Sequence, residues 1–172
     1  MGYHLDAVDS KILTLLQEDA RQSATTLAAR IGVSDNTIHN RIDRLETAGV
    51  ITGYRPLLNA DPVGFGLHVL FICSVSINER AEVAANVRSI PEVTEVTELM
   101  SGNENLLVKV IGADDISINR TARKLDQLRL EIEDPVIIST THNDPVDFAQ
   151  LNGLGEQSAT TATGDERISE DQ

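Results

Sequence analysis

The first third of the chain spaces its apolar residues in the way that is typical of helices. Apolar side chains recur every three or four positions in three successive stretches, which indicates amphipathic helices packed against one another. These stretches contain Val8, Ile12, Leu15 and Leu16, then Leu27, Ala28 and Ile31, then Ile38, Ile42 and Leu45. Residues 1–60 are therefore expected to form a small helical domain.

From Leu67 the period changes to two, the spacing of side chains on one face of a strand. The segment LHVLFICSVSI is expected to place five side chains on one face: Val69, Phe71, Cys73, Val75 and Ile77. Shorter strands follow in VTEVTELM, LLVKVIG and VIISTTH, with helices predicted at about residues 79–89 and 115–130. The order βαββαβ predicts a ferredoxin-like plait over residues 61–148.

Acidic residues outnumber basic ones and are unevenly distributed. The net charge is −13, of which residues 1–60 carry −1, residues 61–148 carry −8 and residues 149–172 carry −4. This acid-rich, lysine-poor composition resembles that of proteins from salt-loaded cytoplasms, and an acidic mesophilic protein is the alternative. Because residues 149–172 have almost no large apolar side chain, we expect them to form a disordered acidic tail.

The sequence TLAARIGVSDNTIHNRI has the spacing of a helix-turn-helix. Ala28 is small enough for two helices to approach, Gly32 can adopt the left-handed conformation that ends a helix, and Ile38 fills the angle between the helices. Ser34 is placed to cap the second helix. The segment GVITGYRPLLN then predicts a short strand pair at residues 50–58, as in a winged helix, with Arg55 near its tip.

The second helix of this motif separates into faces when its residues are projected at about 100° each. Ile38, Ile42 and Leu45 form the buried stripe, and Asn36, Asn40 and Thr47 point away from it. Amides and hydroxyls beside an arginine edge donate hydrogen bonds to base edges and phosphates. The predicted DNA-binding residues are Ser34, Asn36, Thr37, His39, Asn40, Arg41, Arg44 and Arg55. The alternative is a solvated helix face whose arginines pair with local acids.

Four longer motifs carry a resemblance to a known family. They are LDAVDSKILTLLQEDAR at Leu5–Arg21, LAARIGVS at Leu27–Ser34, NRIDRLETAGVITGYRP at Asn40–Pro56 and IPEVTEVTELMSGNENLLVKV at Ile90–Val110. Over about residues 3–148 the chain resembles the Lrp/AsnC, or feast/famine, transcription regulators, and its acidity is similar to that of salt-adapted archaeal members.

The resemblance implies an α+β fold with an N-terminal winged helix-turn-helix and a C-terminal ferredoxin-like plait. The plait would serve effector binding and oligomerisation. The resemblance also implies a sequence-specific transcriptional regulator that binds double-stranded DNA as a homodimer or higher homo-oligomer. Many such regulators are modulated by an amino acid.

The resemblance indicates where such an effector would bind. Members that bind amino acids carry a Gly-x-x-Asp-Tyr-like turn between the second and third strands, where this chain has an Asn and a Leu in the last two positions. The candidate effector-binding residues are Met100, Ser101, Gly102, Glu104 and Asn105. Asn105 can accept a hydrogen bond from an α-ammonium group but lacks the charge of Asp. A plain hairpin turn is the alternative.

The predicted strands are partly apolar on both faces, which favours a homodimer formed through the sheets. Leu70 and Ile72 alternate with Phe71 on the first strand, and Leu107 and Ile111 have the same arrangement on the third. Burying a second apolar face requires another sheet. In a dimer, two recognition helices would be available for adjacent major grooves.

Two other functions compete with the regulator. Siroheme decarboxylases are similar to this family in fold, but His4, His39, His68 and His142 are scattered and form no metal or nucleophile motif. An effector-binding assembly module without DNA binding is the second alternative. We expect no catalytic residue, metal or cofactor, a packed thiol at Cys73, no membrane span and a cytoplasmic location.

Overall fold

The computed structural model describes residues 3–100, 102–133 and 135–151, which form two compact units. The first unit contains residues 3–56 and 143–151, and the second contains residues 57–142 apart from the two gaps. None of the helices in these ranges has the length and apolar character required for crossing a bilayer. The division into a DNA-binding and an effector domain, with borders at residues 60 and 148, stays a prediction.

Three helices make up most of the first unit: α1 (Ala7–Glu18), α2 (Ala24–Ile31) and α3 (Asp35–Thr47). Their apolar stripes meet in a core of Ile12, Leu13, Leu27, Ala28, Ile38 and Leu45. Gly32 ends α2 with a φ of 89°, a left-handed conformation that glycine adopts at little cost. The helix-turn-helix predicted from the spacing of Ala28, Gly32 and Ile38 is therefore confirmed.

The last described residues join this helical unit. Gln17 and Val146 exchange two hydrogen bonds, with Val146 N donating to Gln17 Oε1 at 2.8 Å and Gln17 Nε2 donating to Val146 O at 3.1 Å. Phe148 packs against the helical core, and residues 148–151 form one helical turn. Residues 143–148, which the sequence analysis assigned to the plait, thus belong to the first unit. Residues 152–172 of the predicted tail lie outside the described residues.

The predicted wing is not formed as a strand pair, because residues 50–60 contain no strand. The chain instead turns back on α3, with Val50 N and Ile51 N both donating to Leu45 O. A two-stranded hairpin is marginal without further strands, and Pro56 has no N–H with which to pair. The prediction of a strand pair at residues 50–58 was wrong for this chain, and Arg55 is exposed.

The second unit is the predicted plait. After a short 3₁₀ turn at Asp61–Val63 come β1 (Leu67–Ser74), α4 (Arg80–Arg88), β2 (Val93–Glu98), β3 (Leu106–Gly112), α5 (Asp115–Gln127), β4 (Glu131–Ile132) and β5 (Val136–Ile137). All strand pairs are antiparallel, and the order is β2-β3-β1-β4, with β5 also paired to β1. This is the order of a ferredoxin-like fold.

The final strand differs from the prediction. It was expected at residues 136–142, but it begins at Glu131, is interrupted, and ends at Ile137. Cys73 lies opposite Ile132 whereas Val69 lies opposite Ile137, so the register shifts by one residue between β4 and β5. Pro135 in the interruption has no N–H for the ladder, which accounts for the break.

The two faces of the sheet differ in burial. Val69, Phe71 and Cys73 of β1 are buried with the other core residues, whereas Leu70 and Ile72 are only half-buried. Burial raises the pKa of the Cys73 thiol to about 11, as expected for a packed thiol. Ile77, predicted on the buried face, is 77% exposed because β1 already ends at Ser74.

Candidate nucleic-acid interface

The N-terminus of α3 is built as the sequence predicted. Ser34 has extended backbone angles, and its Oγ accepts a hydrogen bond from Thr37 N at 3.2 Å. Thr37 is half-buried, and its Oγ1 lies 2.8 Å from Ser34 Oγ. The cap satisfies one of the free N–H groups of the first turn, and the remaining ones carry the partial positive charge of the helix end.

The outward face of α3 is polar and exposed. Ser34, Asn36, His39, Asn40, Arg44 and Thr47 are all exposed. No hydrogen-bond partner for the side chains of Asn36, His39 and Asn40 occurs within the described part of the chain. These amides and this imidazole are available for base edges or phosphates.

Arg44 is held at the rim of this face by an aromatic ring. Its guanidinium carbon lies 6.0 Å from the centroid of the Tyr3 ring, at the outer limit of a cation–π contact. Tyr3, Asp43, Arg44, Thr47 and Ala48 line a shallow depression of about 350 Å³ beside the C-terminal half of α3. The charge of Arg44 is exposed and has no carboxylate partner in the described ranges.

Arg41, predicted as a DNA contact, is held by carboxylates within the helical unit. Its Nη1 is ion-paired with both Asp6 and Asp9, the latter at 3.2 Å, and its side chain is only 25% exposed. The hydrogen bond to Asp6 raises the pKa of the Arg41 guanidinium. At about 100° per residue Arg41 lies only about 60° from Ile38, beside the buried stripe rather than opposite it.

Several acidic groups of the helical unit have hydrogen-bond or ion-pair partners within that unit. Asp35 accepts a hydrogen bond from Thr25 Oγ1 at 2.7 Å, and Glu18 is paired with Arg30 at 3.2 Å. Glu46 accepts from Tyr54 at 2.9 Å, and desolvation together with this carboxylate raises the pKa of Tyr54 to about 12. By contrast, the basic side chains of Lys11, Arg21 and Arg55 are exposed and have no carboxylate within 4 Å among the described residues.

Asn105, predicted as an effector contact, is buried and hydrogen-bonded within the second unit. The residue is 5% exposed; its Oδ1 accepts from Val75 N at 3.1 Å, and its Nδ2 donates to Val75 O at 2.8 Å. Both functional atoms of the amide are thus used to continue the pairing of β1 and β3. Met100, Gly102 and Glu104 are exposed, and Ser101 lies outside the described residues.

Sequence reasoning missed the residues that hold Arg41. Asp6 caps α1, and Asp9 completes a capping box with it. The signal was present in the segment LDAVD, because an acid at the cap and another three residues later form the pattern of a capping box. What the segment could not show is that the same two carboxylates face α3.

Residues 5–46 match the AsnC-type helix-turn-helix domain. The chain is 38% identical to the leucine-responsive regulatory protein of Rhizobium meliloti, over 62% of this chain and 70% of that protein. It is 26% identical to the HTH-type transcriptional regulator FL11 of Pyrococcus horikoshii, over 86% of this chain and 98% of that protein. Both relatives are named as regulators.

Solved structures agree over both units. The transcriptional regulator NMB0573 of Neisseria meningitidis, in its L-Met complex, superposes with a TM-score of 0.73 at 26% identity, covering 86% of this chain and 99% of that one. AsnC of Escherichia coli gives a TM-score of 0.70 at 25% identity, covering 84% and 98% of the two chains. The likeness therefore extends well beyond the helix-turn-helix.

Proposed function

This chain belongs to the Lrp/AsnC family of DNA-binding transcriptional regulators, and on that premise we propose that α3 reads operator DNA through one exposed face. The proposed contacts are Ser34, Asn36, Thr37, His39, Asn40, Arg44 and Arg55. We leave out Arg41, which the sequence placed among them, because it is ion-paired with Asp6 and Asp9.

The observation that carries this proposal is the pair of free amides on α3. Asn36 and Asn40 are one helical turn apart, are exposed, and have no hydrogen-bond partner within the described residues. An asparagine amide forms a bidentate pair with the N6 and N7 atoms of adenine in the major groove. The two amides would therefore supply base readout, and Arg44 and Arg55 would supply phosphate contacts.

The acidity of the chain is compatible with this role because of where the acids lie. Residues 1–60 carry a net charge of only −1. At an ionic strength of about 1 M the Debye length is about 3 Å, so distant carboxylates contribute little at the DNA-facing surface. Close contacts from α3 persist under those conditions, although release of counterions weakens as salt rises.

We place the functional unit at a homodimer or a higher homo-oligomer in the cytoplasm. The sheet supports dimerisation because its second face presents half-buried Leu70, Ile72, Leu107 and Ile111. In a dimer the two recognition helices would meet half-sites about 34–36 Å apart.

An amino-acid effector at the turn between β2 and β3 would have to contact exposed groups such as Met100, Gly102 or Glu104 rather than Asn105. The siroheme decarboxylase and assembly-module alternatives gain no support from the relatives described above.

A gel-shift titration against the chain's own upstream DNA tests the proposal. We expect sequence-specific retardation that weakens with salt, and stepwise bands would indicate multimers. Individual amino acids added to the same assay would reveal an effector by a change in retardation. Equal retardation of the upstream fragment and of a scrambled fragment of the same length would contradict sequence-specific binding.

A further inference from the structure

Two arginines lie one turn apart on α3, and the structure treats them differently. Arg41 is turned toward α1 and held by two carboxylates, whereas Arg44 is exposed beside the Tyr3 ring. Only Arg44 is free to meet a phosphate. The different surroundings of the two arginines indicate different tasks in DNA binding.

The carboxylates that hold Arg41 are themselves fixed by the start of α1. Asp6 Oδ1 accepts hydrogen bonds from Val8 N and Asp9 N, both at 2.9 Å. Asp9 Oδ2 accepts from Asp6 N at 3.3 Å and from the Tyr3 hydroxyl at 3.4 Å. The four side chains of Tyr3, Asp6, Asp9 and Arg41 form one connected group, which we call the α1–α3 cluster.

The cluster has a buried centre. The side chain of Asp9 is 2% exposed, and Arg41 is its only cationic partner in the described ranges. A buried carboxylate that loses its cation is strongly destabilised. Arg41 therefore cannot leave Asp9 to bind a phosphate without leaving a buried charge unpaired.

Because Tyr3 contacts both Asp9 and Arg44, the cluster also reaches the DNA-facing surface. Its hydroxyl donates to Asp9, and its ring lies under the guanidinium of Arg44. A chain of contacts thus runs from Arg41 through Asp9 and Tyr3 to Arg44. Contacts with DNA depend on the orientation of the recognition helix and of its side chains, so this link is placed to control both.

We propose that Arg41 is a positioning residue of the DNA interface: with Tyr3, Asp6 and Asp9 it sets the orientation of α3 and the direction of Arg44 while touching no DNA itself. This proposal rests on the proposed DNA-binding function. It assigns to an arginine of the recognition helix a role in affinity that does not pass through a phosphate or a base.

Salt dependence separates positioning from contact. We compare Arg41→Gln and Arg44→Gln, which each remove one positive charge, with the wild type by fluorescence anisotropy on operator DNA at several salt concentrations. The plot of log K against log salt has a negative slope, and loss of one phosphate contact reduces its magnitude by about 0.9. Arg44→Gln should show that reduction. Arg41→Gln should lower operator affinity about tenfold with an unchanged slope, because the charge it removes does not meet a phosphate. It should also leave affinity for scrambled DNA unchanged.

Replacing Asp6, an acidic partner of Arg41, gives a second test. Removal of a negative charge and loss of positioning predict opposite changes in the affinity for operator DNA. Asp6→Asn keeps a good helix cap but removes the ion pair with Arg41. Removing a negative charge should strengthen DNA binding if only charge matters, whereas loss of positioning should weaken operator binding severalfold. Asp43→Asn, an exposed acid of α3 outside the cluster, is the matched control and should not weaken binding.

The outcomes are distinct. Weaker operator binding by Arg41→Gln and Asp6→Asn, with unchanged salt slopes and circular dichroism spectra, supports the proposal. A salt slope whose magnitude falls by about 0.9 in Arg41→Gln would identify Arg41 as a phosphate contact and overturn the proposal. Wild-type affinity in both variants would overturn it while leaving the regulator function intact. A wild-type chain that does not distinguish operator from scrambled DNA would remove both proposals.

Discussion

The recognition helix and the turn before β3 both contain asparagines at positions that the sequence assigned to ligands, yet the structure uses them differently. Asn36 and Asn40 are exposed on α3 with no partner among the described residues, whereas Asn105 is buried and bonded twice to Val75. A helix satisfies its own backbone groups, so polar side chains on its outer face remain free. A strand end leaves backbone groups that need partners, and a neighbouring amide supplies them.

The largest expected effect comes from removing the structural asparagine. Asn105→Asp retains an acceptor for Val75 N but cannot donate to Val75 O, and it places a carboxylate in a buried site. We expect a loss of unfolding free energy on the order of 3 kcal/mol, measured by chemical denaturation. Asn103→Asp, in the same turn but exposed, is the matched control and should change stability by less than about 0.5 kcal/mol.

The same variant tests the comparison from the other side, because Asp is the residue that the resemblance leads one to expect at position 105. If Asn105 served an effector, Asn105→Asp would keep wild-type stability and strengthen amino-acid binding in calorimetry. That result would contradict the structural role. A destabilised variant without new amino-acid binding would show that Asn105 serves the pairing of β1 and β3 rather than an effector.

The next effect is expected on the recognition helix, where asparagines should matter for DNA and not for stability. Asn36→Ala and Asn40→Ala each remove an exposed amide, and a good base contact is worth about 1–3 kcal/mol of discrimination. We expect weaker operator binding, unchanged binding to scrambled DNA and little change in unfolding free energy. Asn119→Ala, an exposed asparagine on α5, is the control and should leave operator binding unchanged.

Periodicity predicted the fold well because it reflects burial directly. The positions of Ile38 and Leu45 in α3 and of Val108 and Val110 in β3 follow from spacing alone, and all four are fully buried. The predictions of the strand pair at residues 50–58 and of the last strand failed for a different reason. Whether a short extended segment joins a sheet depends on backbone partners, on proline N–H groups and on register, none of which is written in the apolar pattern.

The candidate sites were predicted less completely than the fold. The angle around α3 identifies which residues are outward, and the exposure of Asn36, Asn40 and Arg44 agrees with it. Arg41 and Asn105 depended on side-chain partners distant in sequence, namely Asp6 and Asp9 for the first and Val75 for the second. Spacing within one element cannot reveal such partners.

A smaller effect on stability is expected at Ser34, which caps the N-terminus of α3. Ser34→Ala removes the acceptor for Thr37 N and should lower the unfolding free energy by about 1 kcal/mol. Ser34→Gly should cost only a few tenths of a kcal/mol, because glycine is tolerated at this position. Thermal melts of the two variants and of Ser139→Ala, an exposed serine outside the helical unit, provide the comparison. Equal losses in all three would show that the Ser34 hydroxyl contributes nothing specific.

The smallest expected effect is on the pH dependence of stability, and it concerns acidic helix caps. Each unit has one, Asp6 on α1 and Asp114 on α5. Backbone hydrogen bonds lower the pKa of both carboxyls, and Arg41 lowers that of Asp6 further. A lowered pKa in the folded state means that the unfolded state binds more protons, so the stabilisation is present above the ordinary pKa of 3.8 and is lost as pH falls below it.

Denaturation curves of the wild type and of Asp6→Asn, recorded between about pH 6 and about pH 3, measure that contribution. Asparagine caps a helix about as well as aspartate, so the variant isolates the ionised carboxylate and its pair with Arg41. Because the pair is partly exposed, we expect the variant to be less stable by at most about 1 kcal/mol near pH 6, and the difference should shrink as pH falls below 3.8. Asp43→Asn, which removes one negative charge from α3 and leaves the Asp6–Arg41 pair intact, should parallel the wild type. A gap between wild type and Asp6→Asn that stays constant down to pH 3 would mean that the ionised carboxylate is not its source.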